Sequence, residues 1–203
     1  MKRSKTVNAD QLHELLYQAL ETELGGIQVY TMAVECAVNP DLKGEWAKYL
    51  DETTEHARIV TATIEKLGLD PDTETPGRQV VRHIGASLVA AMGMARQAGP
   101  PEAAQLVAAE CVVSAETKDH LNWELVGFAV KHLQGDAREA LKQAHEQVED
   151  QEDQHLYHSA GWARELWLES LEIPAVIPPP EEEKDVKTAI GAARAKKARA
   201  EML

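Results

Sequence analysis

The stretch Leu141–Ala163, LKQAHEQVEDQEDQHLYHSAGWA, carries one stripe of side chains at helical spacing: Leu141, Ala144, Val148, Glu152, His155, Ser159 and Ala163. Steps of three and four residues mark an α-helix with a single buried face. Halfway along, that face changes from apolar groups to an acid and an imidazole. An ionised carboxylate aimed into a helical core is costly unless it is paired or bound to a metal. The stretch therefore predicts a long helix and, with it, a polar layer inside whatever that helix packs against.

Other segments repeat the pattern. Helix one is predicted from about Asn8 to Val38, with Leu12, Leu16, Ala19, Leu20, Glu23, Ile27, Tyr30 and Val34 inward and Asn8 or Asp10 as its cap. Asn39-Pro40-Asp41 ends it, because proline cannot continue the backbone ladder. Helix two runs from about Leu42 to Leu67, with Trp46, Leu50, Thr53, Ala57, Val60 and Ile64 on one face and Gly68 as its stop. Asp70–Gly77 reads as loop, and Gln79–Gln97 as a helix or crossover closed by Gly99-Pro100-Pro101. Helix three is predicted over Glu102–Leu133, with Val112, Glu116, Asp119, Trp123, Val126 and Val130 on one face. Helix four spans Ala137–Leu171. Short turns make each pair antiparallel, and the long link between the pairs can cross the length of the molecule. The expected fold is all-α, a four-helix bundle with one long crossover between helices two and three. Residues 1–173 form the bundle; 174–203 form a Pro/Glu linker and a charged tail, solvated or docked on a partner, helical over Ala189–Met202.

Composition narrows the function. A chain of 203 residues, 44% hydrophobic and 27% charged, suits one main domain. Aromatic residues are 4%, with a single Phe, which argues against a barrel or sandwich built on aromatic strands. Acidic residues number 34 against 21 basic, for a net charge of −13. That balance opposes binding to nucleic acid or to an anionic membrane and suits a protein that attracts cations. Cys36 and Cys111 make neither a disulfide framework nor a CxxC site and read as buried thiols. No apolar core follows the basic Met1–Lys5, and the apolar run Ile84–Ala95 falls short of the ~20 residues a membrane span needs. A cytoplasmic protein is expected.

The chemistry-bearing residues lie in the stripes. Glu23 sits between Leu20 and Ile27, Glu116 between Val112 and Trp123, and Glu152 and His155 follow Val148. Helix two adds Glu52 and His56, four apart; Glu152 and His155 are three apart. At about 1.5 Å of rise per residue, each pair falls within about 6 Å along its axis. Carboxylates are hard donors that can bridge and neutralise two cations, and imidazole completes the coordination. Glu23, Glu52, His56, Glu116, Glu152 and His155 are the predicted metal ligands, for two iron ions, with manganese or zinc as alternatives. Asp119, His120 and His158 are further candidates. Tyr30 and the four tryptophans read as packing residues; His13, His132 and His145 read as surface residues.

This order of motifs resembles the ferritin-like superfamily of di-iron carboxylate proteins, which includes ferritins, bacterioferritins and rubrerythrins. That pattern places one Glu on each of two helices and a Glu-x-x-His pair on each of the other two. Glu23 and Glu116 match the single positions, Glu152-Asp153-Gln154-His155 matches the second pair, and the likeness spans roughly Asp10–Leu171. Helix two departs from it: Thr53 stands three before His56, and Glu52 is rotated by about 100° from that direction. Either Glu52 reaches in, or this half of the site lacks a bridging carboxylate. The resemblance implies redox chemistry with oxygen or peroxide, or iron oxidation, as in a ferroxidase or peroxidase. Without a rubredoxin-like CxxC module, peroxide reduction would need an external electron donor. A homo-oligomer is expected. The rival reading, which Thr53 supports, is a non-catalytic bundle kept for interaction or assembly.

Overall fold

The computed structural model describes residues 7–203. The basic Met1–Lys5 stretch lies outside the described residues. Five long helices account for most of the chain: α1 (Ala9–Cys36), α2 (Pro40–Lys66), α3 (Pro76–Ala98), α4 (Pro101–Val130) and α5 (Gly135–Ser170). A short helix α6 (Pro180–Glu183), then α7 (Ala189–Ala198) and a 3₁₀ turn, complete it. The described residues contain no strand. The molecule is an all-α bundle.

Local chemistry sets the helix ends. Asn8 caps α1 by accepting from Gln11 N–H. Asn39 accepts from the N–H groups of Asp41 and Leu42 and so opens α2. Pro40 occupies the first turn, where its missing N–H costs nothing. The expected break is thus also the start of the next helix. The two free N–H groups at this turn, on Val38 and Asn39, both donate to Gln105 Oε1 at 2.7 Å, which ties the α1–α2 corner to the start of α4.

The side-chain pairings fix the directions. Trp123 meets Glu23 and Gln105 meets Val38, so α4 runs antiparallel to α1. Gln151 meets His56 and Tyr49 meets His158, so α5 runs antiparallel to α2. The stretch expected as a helix or crossover is the helix α3, laid against α1 and α4. Only Arg78, Val81 and Met92 of α3 are buried. It comes backbone to backbone with α1 where Gly25 faces Gly85: a Cβ added at Gly85 would lie 3.5 Å from Gly25 Cα. On the other side of α1, a Cβ at Gly26 would lie 3.0 Å from Thr53 Cγ2. The Gly-Gly pair in helix one therefore serves two close approaches.

The core falls into two apolar clusters. One contains Tyr30, Leu42, Trp46, Tyr49, Met92, Val112 and Trp162. The other contains Leu16, Leu20, Val60, Ile64, Trp123, Leu141 and Val148. Between them lies the predicted polar layer. Residues 174–203 return along α5: Val176 N–H donates to Glu165, Arg164 pairs with Glu181, and Arg199 pairs with Glu165. The tail docks on its own chain. No described helix is long and apolar enough to cross a membrane.

Candidate metal centre

The layer between the clusters gathers Glu23 from α1, His56 from α2, Glu116 and Asp119 from α4, and Glu152 and His155 from α5. All six are buried, and Glu23, His56 and His155 are 0% exposed. Two sets of donor atoms each lie within 4.8 Å of one another: His56, Glu152 and His155, and Glu23, Asp119 and Glu152. Glu152 belongs to both. Among the described residues, neither of its oxygens has a hydrogen-bond partner, and Glu23 Oε2, Glu116 Oε2 and Asp119 Oδ1 lack one too.

The imidazoles are held from outside and aimed inward. Gln151 Oε1 accepts from His56 Nε2 at 2.7 Å, and Glu52 Oε2 accepts from His155 Nε2 at 2.9 Å. Gln151 Nε2 also donates to Glu52 Oε1 at 3.1 Å, which joins the two supports. Fixing the proton on Nε2 turns each Nδ1 toward the carboxylates. His56 Nδ1 lies 2.8 Å from Glu152 Oε1, and His155 Nδ1 lies 3.6 Å from Glu116 Oε2 and from Glu152 Oε1. Neither nitrogen makes an aligned hydrogen bond.

Electrostatics separates this layer from other buried acids of the chain. Glu21, two residues before Glu23, is flanked by Arg78 at 2.7 Å and Arg82 at 2.7 Å. Burial opposes its charge, but the two guanidinium groups win and hold its pKa below the ordinary value. Glu165 is treated the same way by Val176 N–H, Arg164 and Arg199. Glu23, Asp119 and Glu152 receive no such partner: among the described residues, no lysine or arginine pairs with them. Burial first, and the neighbouring carboxylates second, push Glu23 and Asp119 well up and Glu152 up to about 8. Burial opposes a charge on His155, yet Glu116 and Glu52 outweigh it and raise its pKa to about 10. His56 is lowered, by burial and then by His155, against the upward pull of Gln151. These are groups that a cation would relieve, since it offsets the carboxylates and displaces the protons.

The predicted residues thus divide. Glu23, His56, Glu116, Glu152 and His155 come together. Glu52 reaches the layer from behind His155 and belongs to neither donor set. The fourth inward carboxylate is Asp119, one turn beyond Glu116. Thr53 is buried against Gly26, where a carboxylate has little space. His120 lies apart, paired with Asp153 at 3.0 Å. His158 lies one turn beyond His155, with its Nδ1 at 3.0 Å from Tyr49 OH. Trp123 does more than pack: its indole N–H donates to Glu23 Oε1 at 2.9 Å. His145, read as a surface residue, is only 15% exposed on its side chain, covers Gly127 and pairs with Glu149. Tyr30 and Tyr49 wall the layer on one side, with the Tyr49 ring centroid 4.0 Å from that of His155. Comparison with family models, with curated proteins and with solved structures finds no match to this chain.

Proposed function

We propose that this layer is a dinuclear metal centre of the ferritin-like type, and that the protein is an oxidoreductase acting on oxygen or peroxide or oxidising ferrous iron. The observation that carries this reading is Glu152: buried, without a hydrogen-bond partner on either oxygen, and common to two donor sets. Glu23, Asp119 and Glu152 would hold one ion and His56, Glu152 and His155 the other, with Glu116 beside His155. Four carboxylates would then balance two divalent charges, since among the described residues no lysine or arginine pairs with Glu23, Asp119 or Glu152. The mixed oxygen and nitrogen donors suit iron or manganese, with zinc the alternative. Iron or manganese would supply one-electron steps that the side chains cannot, whereas zinc, being redox-inactive, would not.

The chain's own part is positioning and exclusion. Gln151 and Glu52 fix the imidazole rings, Trp123 fixes Glu23, and the two apolar clusters keep bulk water from the layer. Cys36 and Cys111 are free thiols buried in the apolar cluster around Tyr30, and peroxide turnover would draw electrons from an external donor. Thr53 favours the second reading, a bundle retained for assembly without metal. Asp119 weighs against it, because it keeps the inward carboxylates at four. Anaerobic titration with Fe(II) tests the proposal: uptake of two equivalents is expected, and the Glu152→Ala, His155→Ala variant should lose it. Full uptake by that variant would remove the assignment.

A further inference from the structure

Taking the buried layer as a metal centre, we propose that divalent cations reach it through the acidic cleft between α4 and α5, beneath the start of α7. This cleft has a volume of about 230 Å³. Its wall carries Glu124, Glu149 and Asp153, with His120 against Asp153, and among the described residues it contains no lysine or arginine. Its inner end is formed by Trp123 and Glu152, the latter 1% exposed with both oxygens unpartnered. The cleft therefore joins exposed acids to a residue shared by both donor sets. Thr188 and Ala189, the cap and first residue of α7, line it as well.

Charge and size both fit this use. At about 30 Å³ per water, the volume matches roughly eight waters, enough for a cation with its first hydration shell. Carboxylates gathered in a cleft with low-dielectric walls concentrate cations and raise their rate of arrival. A second cleft, between α1, α3 and α4, is lined mainly by apolar residues such as Val29, Val81, Ile84 and Leu88; its charged members are Lys118 and Glu21, the latter already paired with Arg78 and Arg82, so it offers a hydrated cation little.

Stopped-flow loading of the chelator-stripped full chain with Co(II), read by its visible absorption, tests the route. The Glu124→Gln/Glu149→Gln variant should load about fivefold more slowly in low salt, with the final absorption unchanged. The difference should shrink above about 0.5 M salt. Ala189→Trp, which fills the mouth, should slow loading further, whereas Ser114→Trp in the other cleft should leave the rate alone. Wild-type protein that fills at the same rate as both cleft variants, or that is slowed by Ser114→Trp instead, overturns the entrance and spares the centre. Wild-type protein that takes up no Co(II) overturns both.

Discussion

Glu152→Gln isolates the shared carboxylate with almost no change of shape. Glu152 is one of three donors in each set, so the substitution weakens both at once. A ligand at about 100 times its dissociation constant stabilises the folded state by about 2.7 kcal/mol per site. Two sites give about 5 kcal/mol. For a domain of this size, each kcal/mol moves the Tm by about 2–4 °C, so metal should raise the wild-type Tm by about 10–20 °C. In Glu152→Gln the rise should fall below about 5 °C. The metal-free variant should be at least as stable as the metal-free wild type, because burial and repulsion from Glu116 already oppose the charge on Glu152. Far-ultraviolet circular dichroism, with and without Fe(II) or Mn(II) after chelator treatment, reads both quantities. A variant that keeps the full metal-dependent rise, or that loses many degrees without metal, would show that Glu152 serves an internal contact.

Two further outcomes concern the frame around the layer. Gln105→Leu leaves the N–H groups of Val38 and Asn39 without their acceptor. Val38 is 48% exposed, so water can reach these donors; at about 0.5–1.5 kcal/mol per lost hydrogen bond, urea denaturation should show a loss of about 1–3 kcal/mol. The Glu165 pKa is depressed: burial raises it, but Val176 N–H, Arg164 and Arg199 prevail. The resulting stability is present above the unfolded value near 4.5 and is lost as pH falls through the lower folded value. The Trp162 indole N–H donates to Glu182 of the tail, so acid titration followed by tryptophan fluorescence should report the tail leaving Trp162, and Glu165→Gln should flatten that transition.

Much of the layer could be read from periodicity alone. Glu23, Glu116, Glu152 and His155 stand at positions where an apolar residue is due, and a stripe that breaks its own rule is visible without coordinates. Asp119 was legible only as an alternative, because its spacing of three from Glu116 cannot say which carboxylate faces α1 and α5. The rotation of Glu52 by about 100° had a definite consequence: the side chain arrives at the outer nitrogen of His155. Partners set by tertiary approach left no local signal. Trp123 and Glu23 are 100 residues apart, and Arg199 and Glu165 are 34 apart. The docking of the tail on its own chain, rather than in solvent or on a partner, leaves no local signal for the same reason. The partnership of Gly25 with Gly85 depends on where α3 lies, which its hydrophobic pattern did not fix.

Diffraction from crystals of the metal-loaded protein, collected on either side of the metal's absorption edge, tests the dinuclear centre most directly. Two anomalous peaks are expected, one among His56, Glu152 and His155 and the other among Glu23, Asp119 and Glu152. A map with no peak in this layer, or with the carboxylates turned onto arginine or lysine, would leave the bundle standing and remove the centre.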